Sequence, residues 1–195
     1  VLAVLYDKVN LVSQFFTKIQ SFEISGKITI ISLVVLIGVY VMFTVDELYI
    51  EETFEDYAGV KNRLAGWSVE SISGFDLHVR YFLLTTSMDV FGSYKVIPFL
   101  ASIALLITTF LITKTITQKR FAGIVSVIVL LQSPLFQMYD TTVTYTNFWT
   151  LFYLISLYMV YRFWQASPIF YILSIFSKML TVMFLPMSVY FILKS

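Results

Sequence analysis

Uncharged apolar runs alternate along this chain with short polar stretches, and the lengths of the runs predict where helices cross a bilayer. Residues 4–23 interleave Val4, Leu5, Val9, Leu11, Val12, Phe15, Phe16, Ile19 and Phe22 with Asp7, Lys8, Asn10, Gln14, Lys18 and Gln20. Apolar residues recurring at three- and four-residue steps read as an amphipathic helix lying at a membrane surface. Residues 28–45 then carry no charge, and an apolar helix of roughly that length crosses the hydrocarbon core. The pattern predicts further spans at 96–113, 121–138 and 148–161. Residues 81–91 are too short and too polar to span, with Met88 and Phe91 among threonines, and predict a helix along the surface. The last run, 168–193, is apolar with Lys178 near its middle. It reads either as one long broken helix or as two half-spans meeting at Ser177-Lys178.

The expected fold is therefore an all-α integral membrane protein, a polytopic helical bundle of five to six spans. Residues 1–27 form a cytoplasmic interfacial helix. Residues 28–195 form the transmembrane portion, with an enlarged outer loop, 46–95, carrying interfacial helices between spans one and two. The chain is 58% hydrophobic and 13% charged with a mean hydropathy of +0.84, against about 25% charge in an average soluble domain. It has no cysteine, which excludes disulfides and thiolate metal sites, and a single histidine, His78, which excludes a multi-histidine metal or haem site. The basic-apolar-small order of a signal peptide is missing at the N-terminus. A first residue Val1 and a last apolar run closing on Leu193-Lys194-Ser195 predict the front piece of a longer protein.

Charge orients the helices. Lys27 precedes span one, residues 114–120 hold three basic residues and no acid, and Arg162 follows span four. All three segments belong in the cytoplasm by the positive-inside tendency. Residues 46–80 then lie outside, with the eight acids Asp46, Glu47, Glu51, Glu52, Glu55, Asp56, Glu70 and Asp76 against Lys61, Arg63 and Arg80. Asp46 and Glu47 sit where span one leaves the lipid, within reach of a lipid head group, or simply end the span. His78 reads as solvated or functional. Arg80 and Lys95 can anchor their helices by snorkelling. Lys178 inside one apolar span would cost roughly 2.5–3.5 kcal/mol and imply a function or buried partner; between two half-spans it would lie at an interface. The stretch from Tyr139-Asp140-Thr141-Thr142 to Tyr145-Thr146-Asn147 reads as a short hairpin facing the same side as Asp46.

Several ordered pieces carry a family resemblance. They are Val45-Asp46-Glu47 after span one, Leu77-His78-Val79-Arg80-Tyr81 leading into a short helix, and Asp89-Val90-Phe91-Gly92 at that helix's end. Gln132-Ser133-Pro134-Leu135-Phe136 and Ser177-Lys178 followed by Leu185-Pro186 come later. In this order they resemble the start of the multispan glycosyltransferases of the GT-C fold, the protein O-mannosyltransferases and aminoarabinose transferases among them. Val79-Arg80 departs from the family's proline pair, and Lys95 stands near where an arginine is usual. The resemblance implies inverting transfer of a sugar from a polyprenyl phosphate to an acceptor at the outer face. Asp46 is then the general base that takes the acceptor's proton, with Glu47 and His78 orienting base or acceptor. Arg80, Lys178 and Lys95 are candidate cations for the departing lipid phosphate. No cofactor is required by these residues, and a divalent cation is left open, with Asp46, Glu47 and Glu51 as possible ligands. Expected partners are membrane lipids, the lipid-linked sugar and other membrane proteins, not nucleic acid. The rival expectation is a non-catalytic membrane subunit of a larger complex on the same scaffold; a small transporter is weaker, because no internal repeat is visible.

Overall fold

The computed structural model describes residues 22–67 and 78–194, which form helices and connecting loops without a strand among them. The predicted amphipathic stretch at 4–23 falls almost wholly outside the described residues. Helix α1, Gly26–Thr44, begins where Ser25 Oγ accepts the Ile28 N–H at 3.4 Å, an N-cap that satisfies one of the free amides of the first turn. It continues as a 3-10 turn over Val45–Tyr49. Only Thr29, Tyr40 and Thr44 of α1 are buried, while Ile30, Ile31, Val34, Val35, Met42 and Phe43 are exposed. A helix apolar all round, yet mostly unburied by its own chain, is suited to lipid.

The acidic connection between α1 and the next long helix contains α2, Tyr57–Ala65, and α3, His78–Phe91. The latter begins three residues earlier than the pattern predicts, and Gly92 at φ 70° ends it. Helix α4, Val96–Thr117, is the centre of the bundle and buries Phe99, Leu105, Leu106 and Phe110. At 22 residues it is about 33 Å long, enough to cross a bilayer. Of the described helices, α1 with its 3-10 extension and α4 are the two long and apolar enough to do so.

The expected third span, 121–138, is broken. Helix α5, Arg120–Leu131, stops, and a short α6, Pro134–Tyr139, restarts. Ser133 Oγ accepts the Phe136 N–H at 3.4 Å with Pro134 in the first turn, so Ser-Pro is a helix start in the middle of an apolar run. The 12 residues of α5 make about 18 Å of helix. Helix α7, Phe148–Arg162, packs antiparallel on α8, Ser167–Ser177. The two meet through small residues: Ser156 Oγ lies 3.1 Å from Ser167 Oγ, and Ser174 Oγ donates to the Trp149 carbonyl at 2.6 Å. Small residues let the two backbones approach closely. Lys178 is extended, a 3-10 segment covers Met179–Phe184, and α9 is Leu185–Lys194. The last apolar run is thus two pieces that break at Lys178, whose side chain is exposed.

The up-and-down course puts the charges at opposite ends. The C-terminus of α1, the N-termini of α4 and α7 and the C-termini of α5 and α8 share one end with the acidic loop. Lys27, Lys114, Lys119, Arg120 and Arg162 share the other. There, the Arg120 amide donates to both oxygens of Glu23, at 3.1 and 3.2 Å.

Candidate functional site

At the acidic end, residues 140–147 form an irregular loop that is almost entirely buried. Asp140, Thr141, Thr142, Val143, Thr144 and Thr146 are each at most 7% exposed. Irregular backbone can be buried only if its amides and carbonyls find partners, and the acidic loop after α1 provides them. Glu52 accepts the Val143 and Thr144 amides, the latter at 3.2 Å, together with the Thr144 hydroxyl at 2.8 Å. From the opposite side, Arg80 Nη2 donates to the carbonyls of Val143, at 2.8 Å, and Thr144. Glu52 and Arg80 therefore grip the same two residues, one by the donors and one by the acceptors. Glu47 accepts from the Thr141 hydroxyl at 3.0 Å, and Asp56 from the Tyr145 hydroxyl at 3.2 Å. Tyr145 meets Phe54 and Tyr139 edge to face, both with centroids 5.3 Å apart, and Phe54 and Tyr139 lie tilted at 6.0 Å. Ser102 Oγ, from α4, donates to the Asp140 carbonyl at 2.6 Å.

Beside this loop opens a cavity of about 800 Å³. Its polar wall carries Asp56, Arg63, Arg80 and Lys178, and its apolar wall Leu105, Leu130, Leu135 and Phe136. Leu135 is 67% exposed, so the apolar wall runs out to the surface of the bundle. Arg80 Nε is buried without a protein partner among the described residues, a donor still open for an acceptor. Burial acts against the Arg80 charge, and Tyr81 and Glu52 act for it. Lys178 Nζ lies 5.3 Å over the Trp149 ring, a cation–π contact that fixes the ammonium at the cavity's edge.

The sequence-predicted residues do not converge on one place. Arg80 and Lys178 line the cavity; Asp46, Glu47, His78 and Lys95 do not. Asp46 is exposed on the 3-10 turn and makes no hydrogen bond or ion pair with a described residue. His78 begins α3, its ring 6.5 Å from that of Phe176. Lys95 is only 8% exposed, and its Nζ donates to the carbonyls of Glu47 at 2.9 Å and Ile50 at 2.6 Å. It does not snorkel; it ties the start of α4 to the turn after α1. The sequence reading passed over Glu52 and Asp56 as part of an acidic run, and Asp140 as part of a hairpin. The carboxyl of Asp140 is pushed up to about 6, first by burial, with the Glu47 charge adding. The Tyr40 hydroxyl opposes the shift, but no well-formed hydrogen bond joins it to Asp140 Oδ1. Among the described residues no group of three His, Cys, Asp or Glu is arranged to hold a metal ion.

No family model matches the chain, and no curated protein or solved structure is significantly similar to it.

Proposed function

We propose that this is a multi-pass membrane protein, its basic end in the cytoplasm, whose outer cavity receives the phosphate-bearing head of a lipid-linked sugar and transfers the sugar to an acceptor. The observation that carries this reading is the composition of one cavity. Arg63, Arg80 and Lys178 converge with a single carboxylate, Asp56, above an apolar wall that reaches the exposed surface. Cations stabilise a lipid phosphate as it departs, a carboxylate takes the acceptor's proton, and an apolar wall accommodates an isoprenoid chain. The exposed apolar faces of α1 and α9 support membrane embedding. Helices α5 and α8 are each shorter than a full crossing; α6 extends the first, and the chain after Lys178 folds back along the second, where Tyr171 meets the Thr181 carbonyl.

Two carboxylates compete for the role of base. The resemblance points to Asp46; the cavity points to Asp56, and the second is the one a bound head group would meet. Transfer from a radiolabelled polyprenyl-phosphate sugar, assayed in membranes holding the full-length protein, separates them. Asp56→Asn is expected to abolish transfer and Asp46→Asn to leave it. The reverse result moves the reaction out of the cavity, transfer unaffected by both changes removes both carboxylates as the base, and transfer absent from the unaltered protein removes the enzyme reading. A second reading, a non-catalytic membrane subunit, is favoured by one observation. Glu47, Glu52 and Asp56 all accept hydrogen bonds from the loop at 140–147, which is work that scaffolding needs whether or not chemistry follows.

A further inference from the structure

The basic end carries a second concavity, of about 700 Å³, between the last turns of α4 and α7 and the side of α9. Its lining holds Lys114 and Arg162, the tyrosines Tyr158, Tyr161 and Tyr190, and no acid. We infer that it binds the phosphate head group of an anionic glycerophospholipid in the leaflet at that end.

A cation in the last turn of a helix is favoured by the helix dipole alone, so neither Lys114 nor Arg162 is informative singly. Their sharing one concavity is. The Arg162 Nε–H donates to the Tyr158 hydroxyl at 3.3 Å, which turns the guanidinium along the helix and leaves its remaining donors for an anion. Basic pockets between transmembrane helices on the cytoplasmic side suit lipid head groups, and tyrosines prefer the interface, where the ring is apolar and the hydroxyl wet.

A lipid fits better than a soluble phosphate compound because of what surrounds the cations. Leu111, Ile116 and Phe191 share the lining. Ile116 is 49% exposed, and Val189, Ile192 and Leu193 continue an exposed apolar face along α9. An acyl chain has a surface to follow from this site, and a free phosphate does not. The inference rests on the membrane reading above but not on sugar transfer, since it concerns the opposite end of the bundle.

The test uses the full-length protein in vesicles of phosphatidylcholine with one-fifth phosphatidylglycerol, followed by native mass spectrometry of the lipids that remain bound. A juxtamembrane cation is worth about 1 kcal/mol, or about fivefold in affinity. Lys114→Gln with Arg162→Gln is therefore expected to lower the phosphatidylglycerol preference by about twentyfold or more. Lys27→Gln with Lys119→Gln removes the same charge at the same end outside this concavity and is expected to retain most of the preference. Equal loss in both pairs would mean diffuse attraction only and overturns the site. Displacement of the lipid by millimolar inorganic phosphate overturns the lipid as ligand. Release of the protein by alkaline carbonate overturns the membrane reading itself, whereas retention without any lipid preference overturns this inference alone.

Discussion

Glu52 is the most consequential carboxylate in the structure, and replacing it tests the reading of the outer end. In Glu52→Ala, the amides of Val143 and Thr144 lose their acceptor, and the Thr144 hydroxyl loses one too. Val143 is wholly buried and Thr144 is 4% exposed, so water cannot replace the carboxylate without the loop lifting. Leaving a buried donor unsatisfied costs about 1–3 kcal/mol, which for two amides is about 2–6 kcal/mol of loop docking. Even the lower figure raises the open population about thirtyfold. Arg80 loses a favourable counter-charge at the same time, so Glu52→Ala and Arg80→Ala should be coupled, by about 0.5–3 kcal/mol in a double-mutant cycle. The assay is hydrogen–deuterium exchange of peptides covering 140–147 in detergent micelles. Glu52→Gln keeps one acceptor oxygen and is expected to fall between the parent and Glu52→Ala. Unchanged exchange in Glu52→Ala would show that the loop is held by its packing alone, and the clamp would carry no weight in the fold.

Three further outcomes follow from the same geometry. Because Asp140 titrates in the fold near 6 and near 3.9 unfolded, the folded state holds the extra proton between those values. Its contribution is present in full below about pH 4 and is lost as pH rises through about 6. Asp140→Asn should therefore raise Tm at pH 7.5 by more than at pH 4.5 in scanning fluorimetry; an equal effect at both refutes the shift. Lys95→Met strips the Glu47 and Ile50 carbonyls of a charged donor, worth about 1.5–3 kcal/mol per bond. For the two bonds together its Tm should fall by roughly 6–24 °C, and a change below 2 °C would mean the tie is idle. At Gly123, a Cβ would stand 2.6 Å from the buried Phe110 ring and 3.1 Å from the Phe110 carbonyl. Gly123→Ala should cost about 1–3 kcal/mol by forcing α4 and α5 apart, read as lowered Tm and yield.

What was legible in the sequence was whatever depends on neighbours along the chain. The uncharged run at 28–45 and the long α4 follow from composition over one helix length, and Phe91-Gly92 and Ser133-Pro134 are local stop and start signals. Ser133-Pro134 was visible but was outweighed by the continuous apolar run around it, which is why one expected span proved to be two helices. Lys178 stood out as a charge in an apolar segment, and the backbone resolves that cost by breaking there. Long-range pairing left no such trace. Glu52 finds its partners 91 and 92 residues away, and an acidic run in a polar loop has the same composition whether it is solvated or clamps a buried segment. Lys95 shows the same blindness, because snorkelling outward and reaching inward to two carbonyls require the same residue at the same helix end.

The acidic loop and the buried segment explain one another, and that bears on what the cavity can do. A segment of eight residues, 140–147, that is neither helix nor strand and lies under α3 carries more backbone polar groups than it satisfies internally. Its own bonds are few, such as the Thr142 hydroxyl to the Tyr145 carbonyl at 3.0 Å. The remainder falls to Glu47, Glu52, Arg80 and Ser102, drawn from three separate parts of the chain. Of the carboxylates that hold the segment, Asp56 alone lines the cavity, beside Arg63, Arg80 and Lys178. The loop is acidic in sequence, yet Glu47 and Glu52 turn to Thr141, Val143 and Thr144 and stand outside the cavity lining, while Arg80 lines it with its Nε–H buried and unpartnered among the described residues.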